Sequence, residues 1–210
     1  MPYSQDELAT MNSIIERYPR SRSAIMPLLH FVQSRAGYVT NEGIETIAKL
    51  LTIETAEVSA VATFYTQYKR KPVGEYHVGV CTNTLCAVMG GDAIFSALKD
   101  HLGVENDGVT ADGKVSLEHI ECNAACDYAP VVMANWEFYD NQTVESAKSL
   151  VDAARAGNPP APTRGPNKLV TWKEASAVLA GINDGLANEG VQAGEPSLLG
   201  LKLSKNGGAK

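Results

Sequence analysis

Apolar positions in the first third of the chain recur at helical spacing. In QDELATMNSIIERY, Leu8, Met11, Ile14 and Ile15 share one face. Ser4, with Glu7 three residues on, has the form of a capping box. Ile25, Leu28, Leu29 and Val32 make the stripe of a second helix, which Pro27 can bend near its start and Gly37 stops. Asn41 can cap a third helix carried by Ile44, Ile47, Ala48 and Leu51, and Thr52 or Thr55 starts a fourth over AEVSAVATFYTQY. Residues 1–72 are therefore predicted to form an N-terminal helical domain, a small bundle of about four helices.

From residue 73 the pattern alternates. EYHVGV reads as a strand with Tyr76, Val78 and Val80 on one face, and GGDAIFSALKDHLG as a helix ended by Gly103. KVSLEHIE is a second strand and VVMANWEFYDN a hairpin, in which Trp136 and Tyr139 are expected to pack. TVESAKSLVDAARAG is a closing helix with Val144, Ala147, Leu150 and Val151 inward and Gly157 just past its end. This order predicts an α/β sandwich with few strands over residues 73–157.

Residues 158–210 begin with the Pro-rich linker NPPAPTRGPNK, carry one short helical pattern in TWKEASAVLAGIND, and end in a Gly-rich polar tail predicted to be flexible on its own. Trp172, Leu198, Leu199 and Leu201 are unusual for a solvated tail and would suit docking on a partner.

Charge narrows the functional classes. The chain has 210 residues and a net charge of −6, which lacks the basic footprint of a nucleic-acid binder. The N-terminus shows no export signal, and no apolar run approaches the ~18 residues of a membrane span. The expected location is the cytoplasm, without direct membrane insertion. Thiols there stay reduced, so four cysteines in two close pairs point to metal or redox work.

Those cysteines are Cys81 and Cys86, separated by four residues, and Cys122 and Cys126, separated by three. Each pair follows a predicted strand. Parallel strands of one sheet end at a common edge, so the two following loops converge. Four thiolates form a soft-ligand site, suited to Zn²⁺ or to an iron–sulfur cluster, and the spacing alone leaves both open. The glycines of MGG at 89–91 and the small residues of NAA at 123–125 would let backbone amides approach the negatively charged site. Asp127, next to Cys126, would disfavour adding an electron there.

VCTNTLC and ECNAACDYAPVVMAN, at this separation, resemble the thioredoxin-like [2Fe–2S] ferredoxins. YPRSRSAIMPLLHFVQSRAGYVTNEGI and VATFYTQYKRKPVGEYHV resemble one branch of that family, the E-subunit proteins of NADH:quinone oxidoreductase, respiratory complex I. The similarity runs from about residue 18 to about residue 156. It implies a helical N-terminal domain followed by a thioredoxin-like domain, with one [2Fe–2S] cluster on Cys81, Cys86, Cys122 and Cys126. On this reading Cys81 and Cys86 hold one iron, and Cys122 and Cys126 the other. It further implies a place beside the flavin-bearing, NADH-binding F protein of the complex, with the cluster-bearing G protein in the same assembly. FMN and NAD(H) would sit on the partner, and the cluster would take an electron from the reduced flavin, off the main line to quinone. The complex would sit on the cytoplasmic face of the membrane. Two departures are visible: the family often has glycine at the position of Ala124 and an apolar residue at that of Asn123.

Other chemistry finds little support. The chain lacks a G-x-G-x-x-G after a strand, a P-loop and a hydrolytic triad, so no nucleotide or substrate site of its own is predicted, and no catalytic residue. His77, four residues before Cys81, is read as a surface histidine or one supporting the site from behind; His30, His101 and His119 show no metal spacing. The alternatives are the equivalent subunit of an NAD-linked hydrogenase or formate dehydrogenase, and an interaction module stapled by zinc. A disulfide enzyme would need a C-x-x-C pair, which is absent.

Overall fold

The computed structural model describes residues 3–207. They form two compact units: residues 3–73 with Thr171–Asp184, and Gly74–Val170 with residues 185–207. The change of pattern near residue 73 falls at the first crossing between them.

The first unit holds α1 (Gln5–Ile15), α2 (Ile25–Ala36), α3 (Asn41–Leu51) and α4 (Thr55–Phe64), with a 3-10 turn at Ser21–Ala24 leading into α2. The Ser4 capping box is present: the Glu7 N–H donates to Ser4 Oγ (3.2 Å) and the Ser4 N–H to Glu7 Oε2 (2.7 Å). Pro27 sits in the first turn of α2, where its missing N–H leaves no bond unmade. Gly37 ends α2 in the left-handed region at φ 85°. One expected cap is corrected. Thr40, not Asn41, caps α3 by accepting from the Gly43 N–H (3.0 Å), while Asn41 accepts from Arg70 (2.8 Å). α4 starts at Thr55, one of the two expected residues, with Glu54 as its cap, and Thr52 instead terminates α3 at φ 56°.

In the second unit, β1 (Tyr76–Cys81) is followed by α5 (Thr84–Val88), α6 (Gly91–Leu102), β2 (Gly108–Val109), β3 (Val115–Ile120), β4 (Val132–Ala134), β5 (Glu137–Tyr139) and α7 (Val144–Arg155). The sheet order is β2-β3-β1-β4-β5, with β1 and β3 parallel and the other pairs antiparallel. The β4–β5 turn places Asn135 and Trp136 at φ 49° and 71°, the two positive values of a type I′ hairpin. Tyr76, Val78 and Val80 pack with Val115, Leu117, Val132 and the apolar stripes of α6 and α7. The opposite face bears Cys81, Ile120 and Met133 in a second cluster. β1 is buried along its whole length. Neither α5 nor the short strand β2 is expected from the sequence pattern, because each is too short to show a period.

Residues 158–207, read from composition as linker and tail, contain two further helices. In α8 (Trp172–Leu179), Trp172 is 1% exposed and its indole N–H donates to the Gly37 carbonyl (2.7 Å). Gln33 donates to Ser176 Oγ (3.3 Å) and to the Gln67 carbonyl (3.1 Å) and accepts from the Lys69 N–H (2.8 Å), so a buried amide joins three segments of the helical unit. α8 thus belongs to the bundle, and Trp172 docks on its own chain. The last helix, α9 (Glu195–Lys205), belongs to the second unit.

Two outcomes follow for the helical unit. Trp172→Ala should cost about 3–5 kcal/mol of its stability, read by chemical unfolding of the full chain. His30 is buried beside Tyr68, with its Nδ1 unpaired, and burial lowers its pKa from 6.5 to about 4. The unfolded chain binds a proton below pH 6.5 that the folded state refuses until about pH 4. Stability should therefore fall as pH drops through that window, by up to about 3 kcal/mol, and level off below it. His30→Gln should remove the dependence, read as unfolding free energy against pH.

Candidate metal centre

The site is built at the C-terminal edge of the two parallel strands. Their register sets Cys81 opposite Ile120, so the chain leaves both strands at the same level. Past β1 it turns at Asn83 into α5, which carries Cys86. Past β3 it runs through Cys122 into the 3-10 turn Cys126–Tyr128. Asn83 Nδ2 donates to the Ile120 carbonyl (3.1 Å), pinning the first cysteine loop to the end of the second strand. Gly91 is needed where it stands: a Cβ there would lie 2.4 Å from the Cys81 carbonyl oxygen and 2.9 Å from that of Cys86.

The four sequence-predicted cysteines come together as two unlike pairs. Cys81 and Cys86 are buried; Cys122 and Cys126 are exposed. The Cys122 and Cys126 sulfurs stand 3.7 Å apart. Two thiolates on one tetrahedral metal with bonds of ~2.3 Å stand about 3.75 Å apart, so this pair is spaced to share one ion. Cys86 lies against Cys81, and it also feels Cys126, while Cys126 feels Cys81, which ties the two pairs into one electrostatic site. Among the described residues, no three Cys, His, Asp or Glu side chains gather as they would around a single ion.

Burial pushes the Cys86 thiol up to about 11, aided by its cysteine neighbours; the backbone of Val131 pulls the other way. Cys126 is raised first by Cys122, then by burial, Cys81 and Asp127. Backbone amides also reach the sulfurs, as predicted for NAA: the Ala124 N–H donates to Cys122 Sγ (3.4 Å). Ala124 does so at φ 55°, a left-handed conformation costing an alanine about 1–2 kcal/mol, where glycine would be at ease.

His77 departs from the surface reading. It is 4% exposed on the Cys81 face, with Nδ1 2.8 Å from Ser116 Oγ and Nε2 2.7 Å from Glu118 Oε2. Its place between two parallel-strand neighbours comes from strand pairing, which the local pattern does not reveal. His101 pairs with Asp152 (2.7 Å). Two surface depressions of the helical unit, one at Glu45, Lys49 and Thr52 and one at Arg22, Ala60 and Phe64, contain no cysteine. Sequence reading missed Asn83 as an organiser of the site, whereas Gly91 lies in the MGG stretch expected to allow close backbone approach there.

The thioredoxin-like [2Fe-2S] ferredoxin family profile matches residues 11–155. The E protein of the NADH-quinone oxidoreductase of Mycobacterium tuberculosis (strain ATCC 25618 / H37Rv) is 57% identical over 208 residues, covering 97% of this chain and 82% of that protein. Its counterpart in Rickettsia bellii (strain RML369-C) is 39% identical over 156 residues, covering 73% of this chain and 93% of its own. Among solved structures, an NAD+-reducing [NiFe]-hydrogenase in the air-oxidized state shares the fold, with a TM-score of 0.57 and 18% identity over 64% of this chain and 23% of that one. The family profile stops before the tail, whereas the mycobacterial match runs through most of it.

The asymmetry of the pairs is testable in metal-free, reduced protein. Iodoacetamide at pH 8 should label Cys122 and Cys126 quickly and leave Cys81 and Cys86 unlabelled until the fold is opened, read by peptide mass spectrometry.

Proposed function

Since the chain belongs to the thioredoxin-like [2Fe-2S] ferredoxin family, and within it to the E-protein branch of NADH-quinone oxidoreductase, we propose that Cys81, Cys86, Cys122 and Cys126 hold its one [2Fe–2S] cluster. Cys81 and Cys86 take one iron, and Cys122 and Cys126 the other. The chain is an electron-carrying subunit of an oxidoreductase complex. The single observation behind the ligand assignment is the meeting of the two cysteine pairs at one sheet edge, with the exposed pair at 3.7 Å.

When bound, such a cluster accepts and donates one electron at a time. The chain's own residues set the conditions. Cys81 and Cys86 anchor the site in an apolar cluster with Ile120, Val131 and Met133, which excludes water from that side. The backbone at Val131 favours the thiolate form of Cys86, and the Ala124 N–H donates to Cys122 Sγ. Asp127 adds negative charge beside Cys126 and so opposes reduction. The exposed Cys122–Cys126 side is the face on which a redox partner can come close.

We assign FMN and NAD(H) to a flavin-bearing partner, the F protein of the complex, and place the cluster-bearing G protein in the same assembly. The absence of a dinucleotide fingerprint in this sequence supports that division. Among the described residues no helix is long and apolar enough to cross a membrane. Attachment through the complex, on the cytoplasmic face, is the corresponding proposal. The quinone-oxidoreductase reading is favoured over the hydrogenase one because sequence identity to the former extends over nearly the whole chain, while likeness to the latter is one of fold.

The decisive measurement is iron, sulfide and zinc content of anaerobically purified protein, with EPR after dithionite reduction. Two irons and two sulfides per chain, with an S = 1/2 signal lost in Cys86→Ala and Cys126→Ala, is the expected outcome. Stoichiometric zinc and EPR silence in protein matured in its own host would sink the assignment.

A further inference from the structure

We propose that residues 185–207 form a strap that positions the Cys126 turn, acting through Gly194 and Ser197 on Tyr128 and Asp127; this rests on the ligand role given to Cys126 above. The contact is a directed chain of hydrogen bonds. The Gly194 N–H donates to Tyr128 Oη (2.8 Å), Tyr128 Oη and Ser197 Oγ stand 3.2 Å apart, and Ser197 Oγ donates to Asp127 Oδ2 (2.7 Å). Serine has one hydroxyl proton, and it goes to the carboxylate, so the tyrosine proton must point at Ser197. Each bond polarises the next, and the series ends on a charged acceptor. Its two anchor points, Asp127 and Tyr128, are the residues that complete the 3-10 turn begun by Cys126.

The turn is also gripped from its other side. The Arg164 guanidinium lies over the Tyr128 ring at 4.5 Å and the Phe138 ring at 4.0 Å, and donates twice to Asp140 (2.7 and 3.1 Å). The Tyr128 ring is therefore buried while its hydroxyl reaches the strap. Farther along, the Gly165 N–H donates to the Val191 carbonyl (2.9 Å).

The strap's glycines stand at its points of closest approach. A Cβ at Gly194 would lie 2.7 Å from Tyr128 Oη, and one at Gly190, where φ is +70°, would lie 1.7 Å from the Gly165 carbonyl oxygen. α9 buries no side chain, and Leu198, Leu199, Leu201 and Leu203 remain about half exposed, so polar contacts rather than apolar packing hold the segment to the turn. Cys81 and Cys86 are restrained by burial; the exposed Cys126 receives its restraint from this strap.

The test uses full-length Ser197→Ala, Tyr128→Phe and Ser197→Thr. In metal-free protein, amide hydrogen exchange of Tyr128 and Ala129 reports opening of the turn. Ser197→Ala and Tyr128→Phe should exchange there about fivefold faster per hydrogen bond lost, with the strand amides of Val78 and Val80 unchanged, and Ser197→Thr should restore the slow rate. In iron-loaded protein the same two variants should release iron to a chelator faster and alter the shape of the EPR signal, again with rescue by threonine. Exchange and iron release equal to the parent would overturn the strap. A parent protein that takes up no iron and sulfide on anaerobic reconstitution, while its turn still opens faster in Ser197→Ala and Tyr128→Phe, would keep the strap and overturn the cluster assignment instead.

Discussion

The parallel pairing of β1 with β3 is the constraint on which the site depends. Two strands running the same way end at one edge, and a register that sets Cys81 against Ile120 releases both loops at one level. A slip of one residue would turn Cys81 onto the face packed by α6 and α7. The Asn83 bond to the Ile120 carbonyl and the close approach of Gly91 to two carbonyl oxygens refine that meeting, but the strand register creates it.

The two halves of the centre are held by different physics. Around Cys81 and Cys86 the apolar cluster excludes water, which fixes the thiols and makes ionisation of Cys86 costly. Around Cys122 and Cys126 there is little burial. Geometry there rests on a strained backbone at Ala124, a short turn, and polar contacts from distant segments. The Cys86 thiol is raised through burial and the Cys126 thiol first through its neighbour Cys122, so metal and thiolate formation are coupled there, and loading releases protons. The result is a centre that is rigid on its inner side and open on the side where an electron must arrive or leave.

How much of this was legible varies with the range of the interaction. The four bundle helices, the α6 and α7 helices, the hairpin and the two main strands were visible as periods of apolar residues. The Ser4–Glu7 box was visible because it is local. Asn41 was a plausible cap by residue type, yet Thr40 holds that place. The choice between neighbouring polar residues is made where the chain enters the helix, as when Arg70 takes Asn41. His77 read as either a surface or a supporting histidine because alternation alone places it off the apolar face; in the fold it is buried, with Ser116 and Glu118 across the strand pair. Residues 158–207 looked like linker and tail by composition; a few apolar side chains such as Leu169, Trp172 and Ala180 are buried, and much of the remaining attachment is by hydrogen bonds from single residues scattered among Gly and Pro.

The sequence by itself determined the longer periodic elements, the four thiols and their grouping in twos. Those follow from residue type and spacing within a few turns of chain. The tertiary structure alone decided that one pair is buried and the other exposed, that α8 completes the helical unit, and that Gly194 and Ser197 reach the Cys126 turn. Each of these depends on contacts between residues far apart in sequence, whose free energy is settled only when the strands pair and the faces close. No local pattern encodes which distant partner a tail will find.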